Sequence, residues 1–187
     1  MKQSGCYRIT LGIESGSLRV RKFIRKEKSL SQAKEIIQEA NKLGMWTNIT
    51  NIMGFPNETQ DDIKETFKFS KKSGVDFASF YLLCPIPSSD VAKFFPELNS
   101  NGMAEEGCDT NYFSKKQLKE IQKKAYQKFL LHKLSGFWHI LDKIKNWEDF
   151  KFVMKIIKVG IVILIRTFTM KNTLTLLYKH SPRRFQS

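Results

Sequence analysis

A chain of 187 residues, 41% hydrophobic and 12% aromatic, is about one domain long and apolar enough to bury a core, which excludes a disordered chain. The net charge of +14 is uneven: residues 1–114 hold 15 Lys and Arg against 14 Asp and Glu, whereas residues 115–187 hold 17 against 4. The basic character therefore belongs to the tail and says nothing about chemistry in the first part.

In chain order, residues 7–13 (YRITLGI) read as a β-rich run ending in the glycine-containing turn ESGS. After a basic stretch, SLSQAKEIIQEANKLG places Leu30, Ala33, Ile36, Ile37, Ala40 and Leu43 at helical spacing. Ser29 with Gln32 predicts a capping box, and Gly44 stands where a left-handed cap belongs. MWTNITNIM predicts a second strand that runs into GFPNET. Thr59 then caps a helix with Asp61 and Asp62 in its first turn, an inner face of Ile63, Phe67 and Ser70, and an end at Gly74. FASFYLLC predicts a third strand, running into PIPSSD. From Ser114 the pattern is helical again, with Leu118, Ile121, Ala125 and Phe129 on one face and lysines on the other. Asn146 and Asp149 predict the cap of a last helix reaching about Thr169.

The helices are long enough for parallel strand pairing, and right-handed crossovers place ESGS, GFPNET and PIPSS on one sheet edge. Ligands of α/β proteins bind at that edge. Cys6, Cys84 and Cys108 form no CxxC pair or regular framework, which predicts reduced thiols in a cytoplasmic protein. MKQSGCYRITLGIESG lacks the apolar core of a signal peptide, and VGIVILI (residues 159–165) is too short to span a bilayer.

Residues 3–91 resemble the later half of the radical S-adenosylmethionine (radical SAM) core, most of all the branch whose members often carry a cobalamin-binding domain. In that branch a strand ends in Gly-Ile/Val-Glu-Ser-Gly-Ser, as Gly12 to Ser17 do, and a Lys or Arg follows, where Lys26 stands. The next strand ends in Gly-Phe/Leu-Pro-Gly-Glu-Thr, matched by Gly54 to Thr59 with Asn57 replacing the second glycine. The third ends in Pro-x-Pro-Gly-Thr, matched by Pro85 and Pro87, with Ser88 and Ser89 in place of Gly-Thr. The resemblance implies an α/β fold: three parallel βα units like the later half of a partial (β/α)6 TIM-like barrel, plus a helical C-terminal extension. The expected division is residues 1–91 as partial barrel, 92–113 as linker and 114–187 as basic helical extension.

By this resemblance Glu14 accepts hydrogen bonds from the SAM ribose, with Ser15 and Gly16 beside it; the residues alone also allow a carboxylate paired with a nearby lysine or capping the following turn. Lys26 meets the methionine carboxylate of SAM, or is a solvated lysine of the run RVRKFIRKEK. Ile52 presses on the adenine ring and Gly54 admits close approach. Strand-end backbone groups of Leu83, Cys84 and Pro85 meet the adenine edge, the Cys84 side chain itself reading as a small buried hydrophobe. Glu58 reads as structural, His132 and His139 lack a third metal ligand, and Trp138 and Trp147 read as anchors of the tail.

The family's [4Fe–4S] cluster rests on a CxxxCxxC loop, a pattern this sequence does not contain, and its three cysteines have no cluster-loop spacing. The chain is therefore expected to begin inside the barrel and to supply part of a SAM pocket without ligating the cluster or catalysing alone. The complete family member cleaves SAM reductively to a 5′-deoxyadenosyl radical, with cobalamin a further cofactor in part of the branch. An isolated half-barrel would leave sheet edges and an apolar inner face unprotected, so the expected partner is the missing N-terminal barrel half. Two other classes stay open. One is a non-catalytic interaction protein docking on another barrel half. The other is a basic peripheral protein meeting nucleic acid or anionic membrane through its tail, although no nucleic-acid motif with interleaved aromatics is present.

Overall fold

A computed structural model describes residues 2–26, 29–86, 88–95, 107–134 and 140–169, with side chains as far as residue 158. Pro87, Trp138, His139, much of the expected linker and the end of the tail lie outside the described residues. The chain forms two compact units, Met1–Lys143 and Ile144–Ser187. This division does not coincide with the one drawn from sequence, because the helix after the linker packs with the strands.

Three strands, β1 (Arg8–Glu14), β2 (Trp46–Met53) and β3 (Phe77–Leu82), form a parallel sheet in the order β1-β2-β3. Alternation along each strand separates two faces. Ile13, Ile49, Met53, Ala78, Phe80 and Leu82 point into the core. The opposite face carries the registered rows Thr10–Asn48–Phe77, Gly12–Thr50–Ser79 and Ile52–Tyr81, all half-buried or exposed. The expectation of an apolar inner face is not met: this face is mostly polar or small. Its sequence alternation is that of a one-sided sheet, not of the apolar strands of a sheet buried on both sides.

The core is closed by α2 (Leu30–Lys42), α3 (Gln60–Lys72) and α4 (Lys115–Leu134). The predicted capping box of Ser29 with Gln32 forms on α2, and the predicted cap Thr59 forms a second box with Asp62 on α3. A six-residue helix, α1 (Leu18–Phe23), stands in the basic stretch that the sequence left as a connection. On α4, Leu118, Ala125 and Phe129 are buried against the core as predicted, and full burial of a Leu or Phe contributes about 1.5–3 kcal/mol. The same helix covers the outer edge of β3: the Phe80 amide donates to Tyr126 Oη at 3.0 Å, and Gln122 Nε2 donates to the Phe80 carbonyl at 2.8 Å. On that side the expectation of an unprotected edge is corrected, since side chains of α4 satisfy the groups a further strand would take.

The amino-terminal end of the sheet is fastened by charge. Lys143 Nζ donates to Asp76 Oδ2 at 2.6 Å, Asn41 Oδ1 at 2.7 Å and the Met45 carbonyl at 3.0 Å. Asp76 Oδ2 also accepts from the Thr47 amide at 2.8 Å, so both charges of this buried pair are held by further hydrogen bonds. The second unit contains α5 (Trp147–Thr169), opened as predicted by Asn146, whose Oδ1 accepts from the Asp149 amide at 2.8 Å.

Candidate functional site

The carboxyl ends of β1, β2 and β3 lie along one edge, and the turn after β1 shows how the sequence builds it. The ladder loses register between Gly12 and Glu14, and Glu14 takes a left-handed backbone (φ 64°), rare for a residue with a side chain. Arg21 holds that conformation. Its buried guanidinium donates to the Ile13 carbonyl at 2.8 Å and the Ser15 carbonyl at 3.4 Å, the carbonyls on either side of Glu14. Burial lowers the Arg21 pKa, with the Glu14 charge acting in the opposite sense.

The Glu14 side chain folds back over the open face. A Cβ built on Gly12 would stand 2.5 Å from Glu14 Oε1 and 3.5 Å from Lys26 Nζ, so glycine is what leaves room for both groups. Lys26 Nζ lies 3.4 Å from Glu14 Oε1, their side chains 34% and 23% exposed. The two binding candidates are thus brought together, and in this structure they partner each other. A partly exposed pair at this distance is worth about 0–1 kcal/mol, weak enough for a ligand's hydroxyls and carboxylate to replace it.

Ser15 and Gly16 turn toward α3 instead. Ser15 is fully buried, with its hydroxyl 3.1 Å from Thr66 Oγ1, and the Gly16 amide donates to the same oxygen at 2.9 Å. A Cβ on Gly16 would stand 2.6 Å from Thr66 Cα and 2.7 Å from the Glu65 carbonyl oxygen, so this glycine serves the close approach of a helix backbone.

The first and second turns are tied through Asp62. Ser17 Oγ donates to Asp62 Oδ1 at 2.5 Å, Thr59 Oγ1 donates to Oδ2 at 2.6 Å, and Arg19 pairs with the same carboxylate while donating to the Asn57 carbonyl at 2.6 Å. Burial raises the Asp62 pKa, but the bonds from Arg19, Ser17 and Thr59 outweigh it and hold the carboxyl well below its ordinary range. In the second turn Gly54 is left-handed (φ 94°), and its amide donates to Glu58 Oε2 at 2.6 Å. Glu58 is fully buried and its Oε1 has no hydrogen-bond partner. Burial pushes this carboxyl up to about 7, against the pull of the Gly54 and Phe55 amides. Ile52 is half-buried on the open face, one register row beyond Gly12–Thr50–Ser79.

At the third turn the Leu83 amide donates to the Met53 carbonyl at 2.8 Å, and the Leu83 carbonyl accepts from the Gly107 amide at 3.1 Å. Pro85 is buried, whereas Cys84 is exposed and so is not the buried hydrophobe expected from sequence. The segment from Gly107 also bonds the second turn, its Asn111 amide donating to the Pro56 carbonyl at 3.3 Å. His132 stands apart from this edge, with Nε2 3.2 Å from the Lys71 carbonyl oxygen. Arg21, Arg19 and Asp62 were not singled out as site-building residues by sequence reasoning. The arginines are hidden in a run of similar charges, and the one available signal was Ser17 opening a short helix.

Comparison with known proteins agrees with the motifs at this edge. Residues 1–70 match the family model described as the Radical SAM superfamily. The chain is 31% identical over 139 residues to an uncharacterized methyltransferase of Pyrococcus horikoshii, covering 70% of this chain and 30% of that protein. It is 31% identical over 100 residues to cytidylyl-2-hydroxyethylphosphonate methyltransferase of Streptomyces wedmorensis, covering 50% and 19%. It is 29% identical over 90 residues to anaerobic magnesium-protoporphyrin IX monomethyl ester cyclase of Rubrivivax gelatinosus, covering 48% and 16%. The chain thus spans less than a third of the length of each of these relatives. With the family match lying on the strand-and-turn units just described, residues 1–70 of this chain belong to the radical SAM superfamily.

Proposed function

We propose that the carboxyl edge of β1, β2 and β3 forms part of a SAM-binding surface in a radical SAM enzyme. The observation that carries this reading is the Glu14–Lys26 pair over Gly12, an acceptor and a cation 3.4 Å apart on an open face. Glu14 would accept from the ribose hydroxyls and Lys26 would meet the methionine carboxylate, each exchanging a weak mutual contact for a charge-assisted hydrogen bond. Arg21 would keep Glu14 aimed over the face, and Ile52 would offer an apolar side chain to the adenine. Ser15 and Gly16 would support the site by seating its turn on α3. The backbone of Leu83, Cys84 and Pro85 lies at the same edge, although both Leu83 groups are engaged within the chain.

Among the described residues no group of three or more His, Cys, Asp or Glu side chains is placed to hold a metal ion, and the sequence lacks the CxxxCxxC pattern on which the family's [4Fe–4S] cluster rests. The proposal is therefore confined to SAM, with the barrel completed by a cluster-bearing half outside this sequence. In the complete enzyme SAM would supply the 5′-deoxyadenosyl radical. The relatives named as methyltransferases and a cyclase make methyl transfer or ring formation the outcomes to test first, and cobalamin is a further cofactor to test on the motif resemblance alone.

The test is equilibrium titration of the full chain with SAM, alongside Glu14→Gln, Lys26→Met and the control Glu65→Gln at an exposed side chain of α3. Loss of a hydrogen bond to a charged group predicts affinity lower by on the order of tenfold in each of the first two and unchanged in the control. Equal affinity in all four proteins would remove the reading.

A further inference from the structure

We infer that α5 is an amphipathic helix that lies on the surface of an anionic lipid bilayer. At its start Trp147, Phe150 and Met154 are 65%, 41% and 48% exposed. Their spacing of three and seven residues from Trp147 puts them on one helical stripe. Trp147 and Phe150 stack with ring centroids 5.2 Å apart and planes 17° apart, forming one broad apolar plate in solvent. Lys151 Nζ sits 5.8 Å from the centre of the Trp147 ring, and Lys155 and Lys158 are exposed on the following turns.

An exposed aromatic plate beside a lysine row is the arrangement an interfacial helix requires. Aromatic and aliphatic groups enter the headgroup boundary, and lysine stems lie along apolar surface while their ammonium groups stay with the phosphates. Charge selects lipid over an apolar protein surface as the occupant. Residues 144–187 carry 9 basic and 2 acidic residues, an excess that concentrates this unit at a negative surface. The two acids of the first turn are engaged locally: Glu148 pairs with Lys151 at 3.0 Å, and Asp149 Oδ2 accepts from the Lys145 amide at 3.2 Å. The helix has 23 residues and is about 34 Å long. Among the described residues no helix is long and apolar enough to cross a membrane, and the proposed placement is along the bilayer surface. This inference is independent of the SAM reading, which concerns the other unit.

The experiment is co-sedimentation of the full chain with vesicles of phosphatidylcholine alone or with one third phosphatidylglycerol, together with tryptophan quenching by brominated lipid. Binding is expected on the mixed vesicles and to weaken with salt. Replacing Lys151, Lys155 and Lys158 by Gln should weaken it on the order of a hundredfold, and Trp147→Ser with Phe150→Ser on the order of tenfold. Trp147→Phe should keep the binding yet lose most of the quenching, which places the plate in the lipid. All of these side chains are exposed, and circular dichroism checks that each variant folds. Vesicle binding that ignores both the aromatic and the lysine variants would overturn the inference. So would RNA or DNA binding that needs the lysines but not Trp147 and Phe150, without vesicle binding. Self-association abolished by Trp147→Ser and Phe150→Ser, with no vesicle binding, would overturn it as well.

Discussion

Replacing Glu58 by Gln should change how the stability of the first unit depends on pH. Glu58 is fully buried at the second turn, with one oxygen 2.6 Å from the Gly54 amide and the other without a partner. Its carboxyl is raised from an ordinary 4.5 to about 7, so the folded state holds this proton more tightly than the unfolded state does. The resulting stabilisation is fully present below pH 4.5 and is lost as pH rises through 7. Between pH 5 and pH 8 the wild type should lose about 2.5 kcal/mol through this one group. The Glu58→Gln side chain keeps an acceptor for the Gly54 amide and cannot ionise, so that loss should vanish. Asp62 does not interfere in this window: its pKa is depressed, and its contribution disappears only as pH falls below its ordinary 3.8. Urea unfolding followed by circular dichroism at several pH values from 5 to 8 measures the difference. The variant's stability relative to wild type should rise by about 2.5 kcal/mol across the range. A difference that stays constant with pH would refute the assignment of the burial penalty to Glu58.

Two further substitutions test the frame around the site. Gly16→Ala inserts a methyl 2.6 Å from backbone of α3, and overpacking of this kind destabilises by about 1–3 kcal/mol; an unchanged urea midpoint would contradict the close packing. Lys143→Met leaves Asp76 buried without its cation and should destabilise by about 3–5 kcal/mol, with much of the loss recovered on adding Asp76→Asn. If the double variant is no better than Lys143→Met alone, the two residues are not coupled as the 2.6 Å contact requires.

The strands, helices and parallel order were legible because each signal was local: alternation in WTNITNIM, helical spacing after Ser29 and Thr59, and capping residues at both. The turn motif ESGS also marked Glu14 as an edge residue, and the family resemblance put Lys26 beside it. Pairing of Glu14 with a nearby lysine was one of the readings the residues allowed. The packing roles of Ser15 and Gly16 were not legible, because Thr66 lies some fifty positions away and nothing near Gly16 announces a helix backbone at contact distance. Arg21 was hidden for the same reason, being one of several basic residues until the fold buries it beneath the Glu14 turn. The reach of α4 was misjudged because a lysine-rich helix after a linker looks like an appendage. Its partners, the Phe80 amide and carbonyl, are backbone groups that no side-chain pattern reveals.

The measurement that bears most directly on the proposed site is the map of backbone amide shifts in the full chain on adding millimolar SAM. The proposal predicts changes concentrated at Glu14, Lys26, Ile52, Gly54 and Leu83, with α5 and the amino-terminal sheet end around Asp76 undisturbed. No change at the three strand ends, or changes centred elsewhere, would contradict it.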